Sequence, residues 1–396
     1  MKKQYLNDPI RNVFDTQITS IKNINNQFSV SLKETYFFQG GGGQLADKGT
    51  IEGVNIINFH ENENNLFYLL ESELEINVGD TVNCQVDSVH RWDLMQQHTG
   101  QHILSQSIER VMGLSTLSFQ MKEDISQIHI PYTDNYIGLI ESEKLANSII
   151  WEMLEVTPHN IFPDDENYKL RKAPLEKYLD KDGKIRIIKI GEFETIPCGG
   201  THCLNTGQIG IIKIIAIKKK KKIMIIDFVC GYRALNNIQN KILFLNEATS
   251  FLSCSEDTLL ETLKDKNSDK VSLENEYSLM KEELQILKAK EIASDFIKVK
   301  KIKIIQKQFL DTTPINELIS IAKLIIQDNN YICLFSSAEK FTIMSSLNID
   351  INLNSILQEN RAYFNIKGGG RGNNIQGAIL EKSLMKDLFE KFIPYE

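Results

Sequence analysis

The spacing of apolar positions divides the chain before any chemistry is considered. In the first 86 residues apolar residues come in short runs separated by turn residues. Phe28–Leu32, Thr50–Phe59, Leu66–Leu70 and Thr81–Val86 read as strands, with Val78-Gly79-Asp80 as a turn. At Asp87 the period changes. Leu94, Leu104, Ile108 and Val111 recur at helical spacing from Ser88 to Met112, and Gly113 is a natural stop. Strands are predicted at Ser115–Lys122, Gln127–Pro131, Ile185–Ile190 and Ile209–Ile217, the last pairing with Ile223–Val229 as a hairpin. A second helix is predicted over Leu139–Glu155, with Ile150 and Trp151 on its apolar side. Cys198–Cys203 reads as a loop.

From Ala234 to Lys300 the chain is polar, helical and free of proline. Leu273, Tyr277, Met280, Leu284 and Leu287 alternate spacings of four and three, which is a short a/d pattern. It suggests a helical hairpin or a homodimer contact. The remainder reads as a compact α/β domain with strands at Ile302–Ile305, Tyr331–Ser336 and Phe341–Ser345 and a helix over Ile315–Gln327. Lys367–Gly377 reads as a glycine-rich loop leading into a helix over Ala378–Phe389. The expected fold class is therefore α+β in four parts. A β-barrel-like domain (1–86) precedes an α+β domain (87–233), a helical connector (234–300) and a C-terminal α/β domain (301–396).

Composition narrows the class. At 396 residues, 42% hydrophobic and 24% charged, the chain is an ordinary globular multidomain protein. No stretch approaches the ~18 apolar residues of a membrane span, and the N-terminus carries no signal-like apolar region. A net charge of −7 excludes a globally basic nucleic-acid coat but permits local basic patches. Six irregularly spaced cysteines fit a reduced, cytoplasmic chain better than a disulfide framework.

The chemistry concentrates in two short segments. His98-Thr-Gly-Gln-His102 sets two imidazoles four apart, hence on one helix face. Cys198-Gly-Gly-Thr-His202 adds a thiol and a third imidazole in a glycine-flexible loop. Three nitrogens and one sulfur suit Zn²⁺, one ion per chain. Each pair alone is a weak signal. Together, in a chain whose other histidines (His60, His90, His129, His159) show no such pairing, they favour a metal centre. The segment is not the metalloprotease H-E-x-x-H, since no glutamate stands between the histidines.

These segments resemble the editing domain of alanyl-tRNA synthetase and its free-standing AlaX-type relatives, long form. The resemblance rests on Arg91–Leu104 (RWDLMQQHTGQHIL), Ile196–Gly210 (IPCGGTHCLNTGQIG), Thr35–Gly49 (TYFFQGGGGQLADKG) and Asp227–Leu235 (DFVCGYRAL). The glycines Gly368, Gly369 and Gly370 are similar to the C-terminal domain shared with DHH-type phosphoesterases. Phe38 stands where tyrosine is frequent, Thr-Gly-Gln stands between the histidines where the synthetases have Thr-Ala-Thr, and Cys203 replaces a common valine.

The resemblance implies a cytoplasmic hydrolase of translation fidelity. It would remove serine, or glycine, from mischarged tRNA(Ala), because the motifs begin about 35 residues from the N-terminus and leave no room for an aminoacylating core. It carries nucleotide and ATP binding with it. It further implies Thr35, Gln44 and Gln120 as catalytic-site residues, with Thr35 bonding the seryl hydroxyl. Gly41, Gly42 and Gly43 would let backbone approach the substrate. Lys218, Lys219 and Lys220 at a hairpin tip and Arg371 on the glycine-rich loop would meet tRNA phosphates. The competing reading is a non-catalytic tRNA-binding protein with a structural zinc. A DHH phosphoesterase ranks last, for want of an Asp-His-His motif.

Overall fold

The structure, a computed structural model, describes residues 2–394 apart from 25, 63–64, 167, 169–178 and 181. It divides into two compact units, Met1–Ala248 and Thr249–Glu396.

In the first unit six antiparallel strands close on one another in the order Val13–Ile24, Gln27–Leu32, Asn65–Leu70, Val54–Asn62, Gly49–Ile51 and Thr81–Val86. Their inward residues, among them Phe14, Ile18, Val30, Leu32, Ile51, Tyr68 and Val82, form one core. The strand Val13–Ile24 escapes a reading by apolar runs because Thr16 takes an inward position between Phe14 and Ile18. The single strand expected over Thr50–Phe59 is two strands. Glu52 (φ 49°) and Gly53 (φ 78°) both take left-handed backbone and turn the chain in two residues.

Helix α1 (Ser88–Met112) has the predicted limits. Asp87 Oδ1 accepts from Val89 and His90 N–H at 3.0 Å each, and Gly113 ends the helix at φ 68°. The helix is buried well beyond its apolar stripe, since Gln96, Gln97, His98, Gln101 and His102 are also buried, whereas Val111 is exposed. It shares a core with helix α2 (Tyr136–Trp151) and with a four-stranded antiparallel sheet. That sheet is ordered Ile212–Lys220, Ile223–Cys230, Ser126–Pro131, Ser118–Met121. Trp151, expected on the apolar side of α2, is 72% exposed; Leu139, Ala146, Ile149 and Ile150 fill the core instead. A three-stranded sheet, Val156–Ile161, Ile185–Ile190 and Glu194–Pro197, leads into the irregular segment of Cys198–Cys203. Helix α3 (Gly231–Leu252) follows, and the division between units falls within it.

The second unit begins with helix α4 (Leu259–Ser294), in which Ala289 is the one buried residue. A six-stranded sheet follows in the order Ile297–Val299, Ile302–Gln308, Tyr331–Ser337, Lys340–Ser345, Asn374–Ala378, Lys367–Arg371. Ile302–Gln308 and Tyr331–Ser337 are parallel and joined through helix α5 (Ile315–Ile325). Alternation along Tyr331–Ser337 feeds a core on each face. Ile332 and Leu334 meet helices α6 (Leu353–Asn360) and α7 (Met385–Glu390), while Cys333 and Phe335 meet α5.

Two expectations fail in this unit. The glycine-rich segment is a β-hairpin, with Gly368, Gly369 and Gly370 inside one strand and Arg371 at its end, paired with Asn374. A Cβ on Gly368 would fall on the backbone of Gly377 and one on Gly370 on that of Asn374, so these two glycines serve close strand approach. The helix expected from Ala378 begins only at Met385, because Ala378 still pairs with Lys340 and Lys367.

No helix among the described residues is long and apolar enough to cross a membrane.

Candidate metal centre

His98 and His102 project from one face of α1, and Cys198 and His202 come from the segment after strand Glu194–Pro197. The four are buried, and one ligand atom from each lies within 4.8 Å of the others. Imidazole centroids stand 4.4 to 5.1 Å apart. Cys198 Sγ lies 3.4 Å from His98 Nε2 and 3.2 Å from His202 Nε2.

The Nδ1 atoms of His98 and His202 face partners outside the cluster. Gln44 Oε1 lies 2.6 Å from His98 Nδ1, and the hydrogen-bond network assigns the proton to Nδ1. That leaves the Nε2 lone pair toward the cluster. Gln44 also accepts from Thr201 N–H (3.1 Å) and donates to Thr201 Oγ1 (2.8 Å). Thr99 Oγ1 lies 3.3 Å from His202 Nδ1 and accepts from Cys203 N–H at 3.0 Å. This is the outer layer of bonds that orients metal-binding histidines. Gly200 passes so close that a Cβ would collide with His98 and Gln44.

Burial drives the His98 imidazole down to about 3, and the Arg186 charge adds to the shift. His202 lies well below its ordinary value, through burial first and then through His98, His102 and Arg186. Burial also pushes the Cys198 thiol up. Three imidazoles, those of His98 and His202 held neutral by burial, with a thiol that must shed its proton on metallation are the donor chemistry of a zinc site, so the residues fit the ion.

Of the four, His98, His102 and Cys198 form one wall of a cleft of about 450 Å³, with His202 outside the lining. Lys3, Tyr5, Phe38, Gln39, Gly40–Gly42, Gln101, Phe119 and Pro197 line the rest. Phe119 lies nearly parallel to His98 at 5.8 Å. Tyr5 packs edge-on against Phe38, and burial raises its phenol to about 12, so it stays protonated.

The other expected residues fall as follows. Gln44 is at the site but supports His98. Gly41 and Gly42 line the cleft; Gly43 lies against the Phe119 strand, where a Cβ would stand 2.7 Å from Phe119 O. Gln120 is exposed and does not line the cleft, because strand alternation gives that position to Phe119. Thr35 is fully buried outside the lining; its Oγ1 accepts from Phe37 N–H at 3.0 Å, and its side chain bonds Tyr68. In the lysine run, Lys218 is paired with Asp227 at 2.6 Å and Lys219 sits 3.9 Å over the Tyr132 ring, while Lys221 and Lys222 form the hairpin turn after Lys220. Lys3 and Tyr5 carry no mark in the sequence because nothing in their spacing sets them apart, and Gln101 is visible there only as part of the Thr-Gly-Gln between the histidines.

Motif residues that do not touch the cleft lock its parts together. Arg91 Nε donates to Asp47 Oδ1 at 2.8 Å, a second bond joins Arg91 Nη2 to Asp47 Oδ2, and Arg91 also reaches Tyr36 O. Phe38 N–H donates to the same carboxylate. Gln97 makes two bonds to the Cys230 backbone, and Arg233 grips Asp93 with both Nε and Nη2.

Residues 185–225 match the family model described as the threonyl and alanyl tRNA synthetase second additional domain. Along 96% of its length the chain is 27% identical to the alanyl-tRNA editing protein AlaX-L of Pyrococcus horikoshii, spanning 95% of that protein. It is 26% identical to the alanine–tRNA ligase of Methanobrevibacter smithii over 92% of this chain, and 24% identical to that of Methanosarcina barkeri over 98%. It spans only 42% and 43% of those two ligases. Nucleotide and ATP binding find no support in these likenesses.

Proposed function

We propose, with the borne-out resemblance to long-form AlaX-type alanyl-tRNA editing proteins as the premise, that this chain is an aminoacyl-tRNA deacylase. Its substrate is tRNA(Ala) carrying serine, and secondarily glycine, and it works in the cytoplasm. The observation that carries this reading is the buried four-donor cluster, three of whose members, His98, His102 and Cys198, line an open cleft. A purely structural zinc would not need a cleft beside it.

The physical need for a second site is real. A pocket built for alanine rejects an added hydroxyl only about a hundredfold, so mischarging with serine must be corrected elsewhere. Zn²⁺ held by His98, His102, Cys198 and His202 would supply a Lewis acid that polarises or orients the ester. The chain's own residues do the rest. Gln44 and Thr99 fix the imidazoles, so the wall is organised before substrate arrives. Gly40–Gly42 leave that edge of the cleft free of side chains. Phe119 offers ring surface to a terminal nucleoside, and base–aromatic stacking contributes about 1–3 kcal/mol. Among the described residues Lys3 is the one lysine or arginine in the lining; it lies 3.8 Å from Glu61 and is suited to a phosphate. Arg371 and Lys220 remain proposed phosphate contacts outside the cleft.

The test is deacylation of seryl-tRNA(Ala) by the intact chain, beside glycyl-tRNA(Ala) and seryl-tRNA(Thr), with and without a chelator. Hydrolysis above the spontaneous rate that chelation removes supports the reading. Tight tRNA binding with no such hydrolysis supports the non-catalytic alternative. The exposed stripe Leu273, Tyr277, Met280, Leu284 and Leu287 on α4, each more than half exposed, supports a homodimer. Sedimentation at two concentrations checks it; a concentration-independent monomer removes it.

A further inference from the structure

We propose that Arg186 is the positioning residue that couples the metal segment to the opposite wall of the cleft. Arg186 lies on strand Ile185–Ile190, whose Ile185 and Ile187 point into a small core, so alternation sends Arg186 to the other face. Its Nη1 donates to Cys198 O at 2.7 Å and Gly200 O at 3.1 Å, and its Nη2 donates to Leu6 O at 3.1 Å. The first two carbonyls flank Gly199 and hold the turn that presents Cys198. The third belongs to the residue after Tyr5, which lines the cleft from the N-terminal side. One planar fork thus spans both walls.

Arg186 is also unusual electrically. Among the described residues it makes no ion pair with a carboxylate, and its Nε is buried with no hydrogen-bond partner. Lysine cannot reproduce the arrangement, because a point ammonium does not reach three carbonyls in fixed directions. Losing the fork leaves the carbonyls of Cys198 and Gly200 without their donor. Metal retention and substrate fit should therefore change together, which a residue serving stability alone would not produce.

The inference rests on the metal reading, and the experiment separates the two. Zinc affinity of the full chain is measured by competition with a chromogenic chelator for wild type, R186K and R186M. KM for seryl-tRNA(Ala) is measured in parallel, and Trp92 fluorescence monitors folding. Wild type that retains no zinc defeats the metal reading itself. With zinc bound in wild type, both variants should lose about 10–100-fold in affinity, the usual cost of removing an orienting partner, and KM should rise. R186K with wild-type zinc affinity and wild-type KM would overturn the proposal. Should neither variant fold, hydrogen exchange in the wild type decides. Chelation should speed exchange at the amides of residues 4–7, across the cleft from the ligands. Unchanged exchange there also overturns it.

Discussion

Among the described residues, the buried polar side chains of the first unit include Asp47, Arg91, His98, His102, Glu194, His202 and Asp227. Those of the second are Ser336, Ser337, Thr342, Ser345 and Ser346. A buried hydroxyl is satisfied by one or two local bonds; a buried charge or imidazole needs a partner designed for it. The second unit therefore has an ordinary apolar core with its charges outside. The first holds groups whose desolvation must be offset, through Arg91–Asp47, Gln44–His98 and Thr99–His202. Groups that would be unfavourable in a plain core mark where the chemistry sits.

The sharpest break in that contrast comes from the ligands. His102→Ala should bring seryl-tRNA deacylation down to the spontaneous rate while tRNA binding persists. Wild-type turnover in that variant would remove zinc from the account. Next, Asp47→Ala strands the Arg91 guanidinium in a buried place. Breaking such a pair costs about 3–5 kcal/mol, to be read in urea unfolding followed by tryptophan emission. Both tryptophans, Trp92 and Trp151, lie in the first unit, so emission reports on that unit alone.

Gly100→Ala should cost about 1–3 kcal/mol by overpacking, since its Cβ would fall on Cys230 Sγ. Cys230→Ala in the same chain should recover most of that loss; additive losses would show that the clash is not the cause.

Acid should also separate the units. Metal-free His98, held near 3 against an ordinary 6.5, binds fewer protons folded than unfolded between those values. Stability of the first unit therefore falls as pH drops below about 6.5, and the loss runs on toward 3. The direction at His202 is the same. The Trp92 melting point of the chelated protein should fall from pH 7 to 5, and a flat profile would contradict the buried, neutral imidazoles. In the second unit Lys382 holds the Asp311 carboxyl below its usual range, so that group stays ionised across this window. The smallest effect is expected at Ser345→Ala. Its Oγ is buried without a partner, so removal should be neutral or slightly stabilising in far-UV circular dichroism melts.

How much of this was legible beforehand depended on whether a signal is local. Helix α1 was readable to the residue because an apolar stripe and a glycine stop agree. The four donors were readable because two short spacings and scarce His and Cys converge. The glycine-rich hairpin was not, since glycines that permit strand contact and glycines that line a loop look alike until the partner Asn374–Ala378 is known. Gln120 failed by one residue of strand parity, which returns Phe119 in its place. Thr35 and Gln44 belong to the right segment, yet whether a side chain faces the cleft or supports it is set by Tyr68 and Thr201, distant in sequence. Arg186 carried no local mark at all. Its role appears only when Leu6, Cys198 and Gly200 are brought together.

Gly100 and Cys230 share one small volume, and this constrains the order in which the chain can change. A path to Thr-Ala between the histidines that begins with alanine at 100 passes through a clash. One that first reduces 230 does not. The volume that keeps position 100 a glycine is thus set by a cysteine 130 residues away.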